Sequence, residues 1–139
     1  MVYALDTNII IHLLYGNQMV RANRNVAWEN GATVVIPPIV HFEIMRGFLY
    51  APAPGKEMSY HLMCAECPIE PVTVNIWERA AHIYAKVRCK GFTVQDADLL
   101  IAAYCLESNY TLVTNNTADF ENIDGLKLAD WTQGSEPND

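Results

Sequence analysis

Asp6, Glu43, Asp98 and Asp119 lie far apart in the chain, yet each stands beside a run that reads as a β-strand or in a helix next to one. Asp6-Thr7-Asn8 directly follows the apolar run Val2 to Leu5. Glu43 is the only acid between Gly31 and Gly55, about one turn into the helix after Ile36. Asn116 and Asp119 belong to the polar segment behind Thr111 to Thr114. In a parallel α/β sheet, ligands collect outside the carboxyl ends of the strands, so these residues project to one edge. Carboxylates brought within about 4 Å repel by roughly 4 kcal/mol at an effective dielectric of about 20. Such a group either keeps protons or takes up a cation. Oxygen donors without a histidine cluster favour Mg²⁺ or Mn²⁺ over zinc. His12, His41, His61 and His82 are scattered and read as structural or exposed.

Each acid also has a structural reading. Thr7 or Asn8 can cap a helix beside Asp6, and Glu43 can pair with Arg46 at i,i+3 for a few tenths of a kcal/mol. Asx turns and a cap before Phe120 account for polar segments like 115–119, so either Asn116 or Asp119 can complete an oxygen-rich cup. Asp96 and Asp98 point about 200° apart on a helix and cannot share one site. Thr93-Val94-Gln95-Asp96 has the form of a capping box, which gives Asp96 a structural role and leaves Asp98 for the site. Asp98 shares its face with Ile101, Ala102 and Cys105, a stripe suited to packing on a sheet.

The elements that must position these residues alternate between short apolar runs and longer helical patterns. Strands are expected at Val2 to Leu5, Thr33 to Ile36, weakly at Val72 to Val74, at Thr111 to Thr114, and at an edge from Leu126 to Leu128. Helices are expected from Thr7 or Asn8 to near Gly16, from Gln18 to Glu29, from Pro37-Pro38 through Leu49, from Lys56 to Cys67, from Ile76 to Lys90, and from Thr93 through Leu106. Strands separated by helices imply right-handed crossovers and a mostly parallel twisted sheet covered on both faces, a three-layer α/β/α sandwich. Residues 1–133 read as a single domain and 134–139 as a polar, frayed tail.

Composition narrows the function. With 139 residues, 51% hydrophobic and 18% charged, the chain suits one domain able to bury its own core without metal or disulfide. No stretch approaches the roughly twenty apolar residues that span a bilayer. No basic region precedes an apolar segment at the N-terminus, which points to the cytoplasm. Cys64, Cys67, Cys89 and Cys105 sit in helix-like segments and read as reduced thiols. Sixteen acids against nine bases give a net charge of −7, which argues against broad attraction to nucleic acid and against a polybasic membrane patch. A metal-dependent nuclease stays open, because cations held by converging acids offset the charge where phosphates sit.

Several ordered motifs resemble the PIN-domain ribonucleases, specifically the VapC-like toxins of type II toxin–antitoxin pairs. The motifs are Leu5-Asp6-Thr7-Asn8, Glu43-Ile-Met-Arg-Gly47, Asp98-Leu-Leu-Ile-Ala-Ala103, Leu112-Val-Thr-Asn-Asn116, Asp119-Phe120 and the closing Gly125-Leu126 to Asp130-Trp131, spread over nearly the whole chain. The resemblance implies a PIN-like fold and Mg²⁺- or Mn²⁺-dependent RNA hydrolysis, with Asp6, Glu43 and Asp98 as the acidic core. Many relatives carry Asp where Asn116 stands, so Asp119 substitutes or Asn116 binds through its carbonyl or a water. Thr7 and Thr114 are then placed to orient ligands, and Asn8 or Asn116 to hold a water. Lys86, Arg88 and Lys90, the one basic cluster, are candidates to guide the RNA backbone or an ordinary solvated helix end. A homodimer and a small cognate antitoxin covering the acidic cleft are also implied, with Phe42 to Tyr50 and Met58 to Met63 suited either to an interface or to the core.

Two competitors remain. A phospho-acceptor receiver domain also gathers acids at a parallel sheet edge, but Thr114-Asn115-Asn116 stands where its lysine belongs, and Glu43 has no role in it. A PIN-like module without catalysis, working only by binding, is kept open by Asn116.

Overall fold

Val2–Leu5 forms β1, the central strand from which the rest of the sheet is laid down, and Ala4 and Leu5 at its carboxyl end are fully buried. The chain, a computed structural model describing residues 1–134, continues through α1 (Thr7–Leu14), α2 (Gln18–Glu29) and β2 (Thr33–Val35). Four helices follow: α3 (Pro38–Tyr50), α4 (Pro54–Glu66), α5 (Val74–Cys89) and α6 (Asp96–Ser108). The fold closes with β3 (Thr111–Val113), a 3₁₀ turn (Thr117–Phe120) and β4 (Leu128–Ala129). The remaining predicted tail residues, 135–139, lie outside the described residues.

The strand order is β2-β1-β3-β4, and each neighbouring pair is parallel. Tyr3 lies opposite Val34 on one side and Thr111 on the other, and Leu112 lies opposite Leu128. The chain leaves β1 towards β2 and later returns to β3 on β1's other side. Right-handed crossovers therefore send the α1–α2 connection and the return through α6 to opposite faces of the sheet. The expected three-layer α/β sandwich is the observed architecture. It creates a topological switch point between the carboxyl ends of β1 and β3, where a ligand crevice belongs.

Local chemistry explains most boundaries. Asn17 caps α2 by accepting from the Val20 N–H at 3.0 Å. Pro38 opens α3 at a position where no helical N–H is needed. α5 stops before Gly91, whose φ of +88° admits the reversal at little cost. The core joins Ile9, Ile10 and Leu13 of α1 to Val34, Val35, Leu112 and Val113 of the sheet and to Ile101, Ala102 and Cys105 of α6.

Three local expectations are corrected. Val72 to Val74 is no strand: Pro68 and Pro71 have no N–H to donate to a ladder, the segment makes one bond to the β2 edge (Ile36 N–H to Pro68 O, 3.1 Å), and Val74 already begins α5. Thr93 does not cap α6. Gln95 holds the N-cap position without a side-chain bond, the helix starts at Asp96, and the capping box is not formed. Asp96 and Asp98 instead both occupy the first turn, where negative charge suits the helix dipole. The cap of α1 is neither Thr7 nor Asn8 but Asp6 itself, whose Oδ1 accepts from the Thr7 N–H at 2.8 Å.

Candidate functional site

The switch point is built from Asp6 outward. The Asp6 N–H continues the parallel ladder to Val113 O at 2.9 Å, which fixes the residue after β1 beside the residue after β3. Asp6 is 5% exposed and Thr114 fully buried, and the Thr114 hydroxyl donates to Asp6 Oδ2 at 2.8 Å. Asn8 Nδ2 lies 3.2 Å from the same carboxylate oxygen and 3.3 Å from Thr114 Oγ1. The Asn116 N–H donates to Thr114 Oγ1 at 3.1 Å, and the Asn115 N–H to Asn8 Oδ1 at 3.1 Å. Burial raises the Asp6 carboxyl above its ordinary value, the charge of Asp119 adds to this, and the bonds from Thr114, Thr7 and Asn8 pull the other way. Asp6 is thus oriented by three donors, none of them a cation.

Glu43 reaches the same edge from α3. The Thr7 hydroxyl donates to its Oε1 at 2.9 Å, and Arg46 approaches its Oε2 at 3.4 Å. The i,i+3 pairing with Arg46 is therefore present, on the more exposed side, while the other oxygen is tied to the residue next to Asp6.

Asp98 lies at the third position of α6 on a cleft of about 300 Å³, lined also by Thr93, Val94, Gln95, Asp119 and Asn122. Asp119 is exposed on the 3₁₀ turn and shares this cleft. Burial pushes the Asp98 carboxyl up to about 6, and the charges of Asp6, Asp119 and Glu43 push the same way. One half-buried carboxyl thus feels three other acids from three separate elements. Asp96 faces elsewhere, onto an apolar groove with Trp77, Tyr84 and Leu99, as the 200° separation requires.

The other expected residues fall as follows. Asn116 is exposed, and its backbone rather than its side chain enters the network. Lys86 and Lys90 both pair with Asp124, at 3.1 and 2.9 Å, while the Arg88 guanidinium sits 5.9 Å from the Tyr84 ring. Of the two apolar segments, Phe42, Leu49, Tyr50, Met58 and Leu62 are exposed, while Ile44 and Tyr60 lie in the core. The sequence reading did not single out Asn122 or Gln95 as site residues. The only available signal for Asn122 was its place in the polar stretch after Phe120, which reads equally well as a turn.

The donor set is all oxygen, which suits a hard divalent cation. Among the described residues, no three His, Cys, Asp or Glu side chains converge tightly enough to form a ready-made ion site. The acids stand near enough to perturb Asp98 and short of joint ligation. Among the described residues, no helix is long and apolar enough to cross a membrane.

Residues 3–126 match the PIN domain family model, and the chain belongs to that family. It is 29% identical to ribonuclease VapC1 of Haemophilus influenzae over 140 residues, covering 96% of this chain and 100% of the relative. It is 27% identical to ribonuclease VapC2 of Rickettsia felis, covering 94% and 98%. The crystal structure of VapBC2 from Rickettsia felis bound to a DNA fragment from their promoter superposes with a TM-score of 0.88 at 26% identity, covering 94% of this chain and 99% of that one.

Proposed function

We propose that this chain is a divalent-metal-dependent ribonuclease and the toxin of a toxin–antitoxin pair. The observation that carries the reading is the gathering of four acids around the switch point of the sheet: Asp6 and Glu43 are both bonded to Thr7, and Asp98 and Asp119 line one cleft. Among the described residues Arg46, 3.4 Å from Glu43, is the one cation paired with these acids, and carboxylates gathered with so little positive charge are costly unless a cation joins them. Family membership and relatives named as ribonucleases give the same direction independently.

Asp6, Glu43 and Asp98 are the proposed holders of Mg²⁺ or Mn²⁺. Asp119 is preferred to Asn116 as the fourth because it shares the cleft with Asp98 and Asn116 does not line it. When bound, the cation would supply activation of water and neutralisation of charge building on the phosphate. The chain's own part is positioning. Thr114 and Asn8 hold Asp6 in one orientation, and Thr7 holds Glu43, so the carboxylates do not need to reorganise as charge develops. The Thr93–Gln95 segment and Asn122 wall the cleft where an RNA phosphodiester would lie, and no protein nucleophile is required.

An antitoxin is supported by the VapBC2 neighbour and by an apolar groove of about 240 Å³ beside Glu43, where Ile11, Tyr15 and Phe48 stand next to Thr7. Exposed Phe42, Leu49, Tyr50, Met58 and Leu62 support a homodimer. An RNA target and four free thiols are consistent with the cytoplasm.

Induction of the chain alone in a bacterial host tests the reading. The expected result is growth arrest with new RNA cleavage products, absent for Asp6→Asn and Glu43→Gln at equal protein level. Growth arrest by all three would refute the assignment of the acids, and no arrest with intact RNA would favour a binding module without catalysis.

A further inference from the structure

The basic residues of this acidic protein are concentrated on one element. Residues 74–90 hold Arg79, Lys86, Arg88 and Lys90, four of the nine Lys and Arg, against the single acid Glu78. At 100° per residue, Arg79, Lys86 and Lys90 fall within one narrow stripe, and Arg88 falls on the opposite face. The contacts agree. Arg79 pairs with Glu107 at 3.1 Å, Lys86 and Lys90 share Asp124, and Arg88 lies apart against Tyr84.

The stripe also opens onto a groove of about 180 Å³ lined by Arg79, His82, Lys86, Asp124 and Asn122. Asn122 lines the Asp98–Asp119 cleft as well, so the two depressions share one residue. Lys90 Nζ reaches Asn122 O at 3.5 Å at that junction. Arg79 to Lys90 spans roughly 16 Å along the helix, room for successive phosphates of a single strand.

Building on the ribonuclease reading above, we propose that the Arg79–Lys86–Lys90 stripe, joined to the acidic cleft through Asn122, is the track that holds the RNA backbone leading to the cut. A chain of net charge −7 repels RNA at long range, so a local row of cations beside the acids is what lets a phosphate chain approach. The carboxylates now facing the row do not oppose this. Arg79, Lys86 and Lys90 are 45%, 66% and 37% exposed, and such pairs are weak in water and exchange readily for phosphate. Asp124 acts as a placeholder: it holds the ammonium groups of Lys86 and Lys90 together beside the groove until RNA displaces it.

A purely structural clamp, in which Lys86 and Lys90 exist only to pin Asp124, predicts the opposite behaviour on one point, and the test uses it. Binding of a fluorescein-labelled single-stranded RNA of about twenty nucleotides is followed by anisotropy in EDTA across a salt series. Arg79→Gln/Lys86→Gln is expected to bind at least tenfold more weakly, with a salt slope lower by about one to two. Lys86→Arg keeps affinity, Arg88→Gln matches wild type, and Asp124→Asn binds severalfold more tightly. Wild-type affinity in the double variant, equal loss in Arg88→Gln, or no gain in Asp124→Asn would each overturn the track. If wild type still cuts RNA with Mn²⁺, the ribonuclease reading survives that failure. If wild type neither binds nor cuts, both fall together.

Discussion

Replacing Asp98 by Asn should stabilise the protein without metal, and the size of the gain follows from the site. Asp98 titrates at about 6 in the folded chain against an ordinary 3.8. At about 1.36 kcal/mol per pH unit that gap sets an upper bound of about 3 kcal/mol, and because the carboxyl is only half-buried, solvent screening reduces the weakening of folding on ionisation to about 1–2 kcal/mol. The raised value means that the native state binds the extra proton between about pH 4 and 6, so this contribution falls as pH rises through that window and stays lost above it. Asn keeps the shape and removes the charge. The expected outcome in EDTA at pH 7.5 is a Tm higher than wild type by several degrees and on the order of 10 °C at most, shrinking towards zero near pH 4. Millimolar Mn²⁺ should raise the wild-type Tm and narrow the difference, because a ligand that binds only the folded state adds stability. The assay is thermal melting by circular dichroism over pH, with and without Mn²⁺. A variant no more stable than wild type at pH 7.5, or an advantage that persists unchanged at pH 4, would refute the reasoning.

Other residues give sharper local tests. Thr114→Val leaves Asp6 Oδ2 and the Asn116 N–H without their hydroxyl partner and should cost about 1–3 kcal/mol in urea unfolding, whereas Thr114→Ser should recover most of it. Thr7→Val removes the 2.9 Å bond to Glu43, so RNA cleavage should fall at least tenfold with little change in Tm, and Thr7→Ser should restore it. Of the four free cysteines only Cys89 is exposed, burial pushes the Cys67 thiol up to about 11, and the Cys64 and Cys105 thiols are raised as well. Thiol titration should therefore show one fast-reacting group in the native protein and four after denaturation.

The layout was legible in the sequence wherever a local signal had no rival. Gln18–Glu29 has a capping Asn before it and Gly31 behind it, and the helix has the expected bounds. Helical geometry placed Asp96 and Asp98 on different faces, and the structure keeps them there, but the choice of Asp98 for the site leaned on a Thr93–Asp96 capping box that does not form. Long-range pairing was the harder part. That Thr7 would hold Glu43, 36 residues away, depends on the crossover that brings α3 beside α1, which no local pattern encodes. The Thr93 capping box is a true local signal that lost to tertiary context, since 93–95 lines the cleft and α6 begins later. Reading Lys86, Arg88 and Lys90 as one cluster by closeness in sequence overlooked that helical rotation puts Arg88 opposite the other two and brings Arg79 into line with them.

The acids at the β1–β3 switch point are proposed to bind a divalent cation and cut RNA. The direct test is cleavage of end-labelled structured RNAs by purified wild type, Asp6→Asn and Asp98→Asn, prepared identically, with Mn²⁺, Mg²⁺ or EDTA. Defined products are expected from wild type with Mn²⁺ or Mg²⁺, none in EDTA, and at least a hundredfold loss in either variant. Cutting that is equal in all three proteins, or that persists undiminished in EDTA, would contradict the proposal.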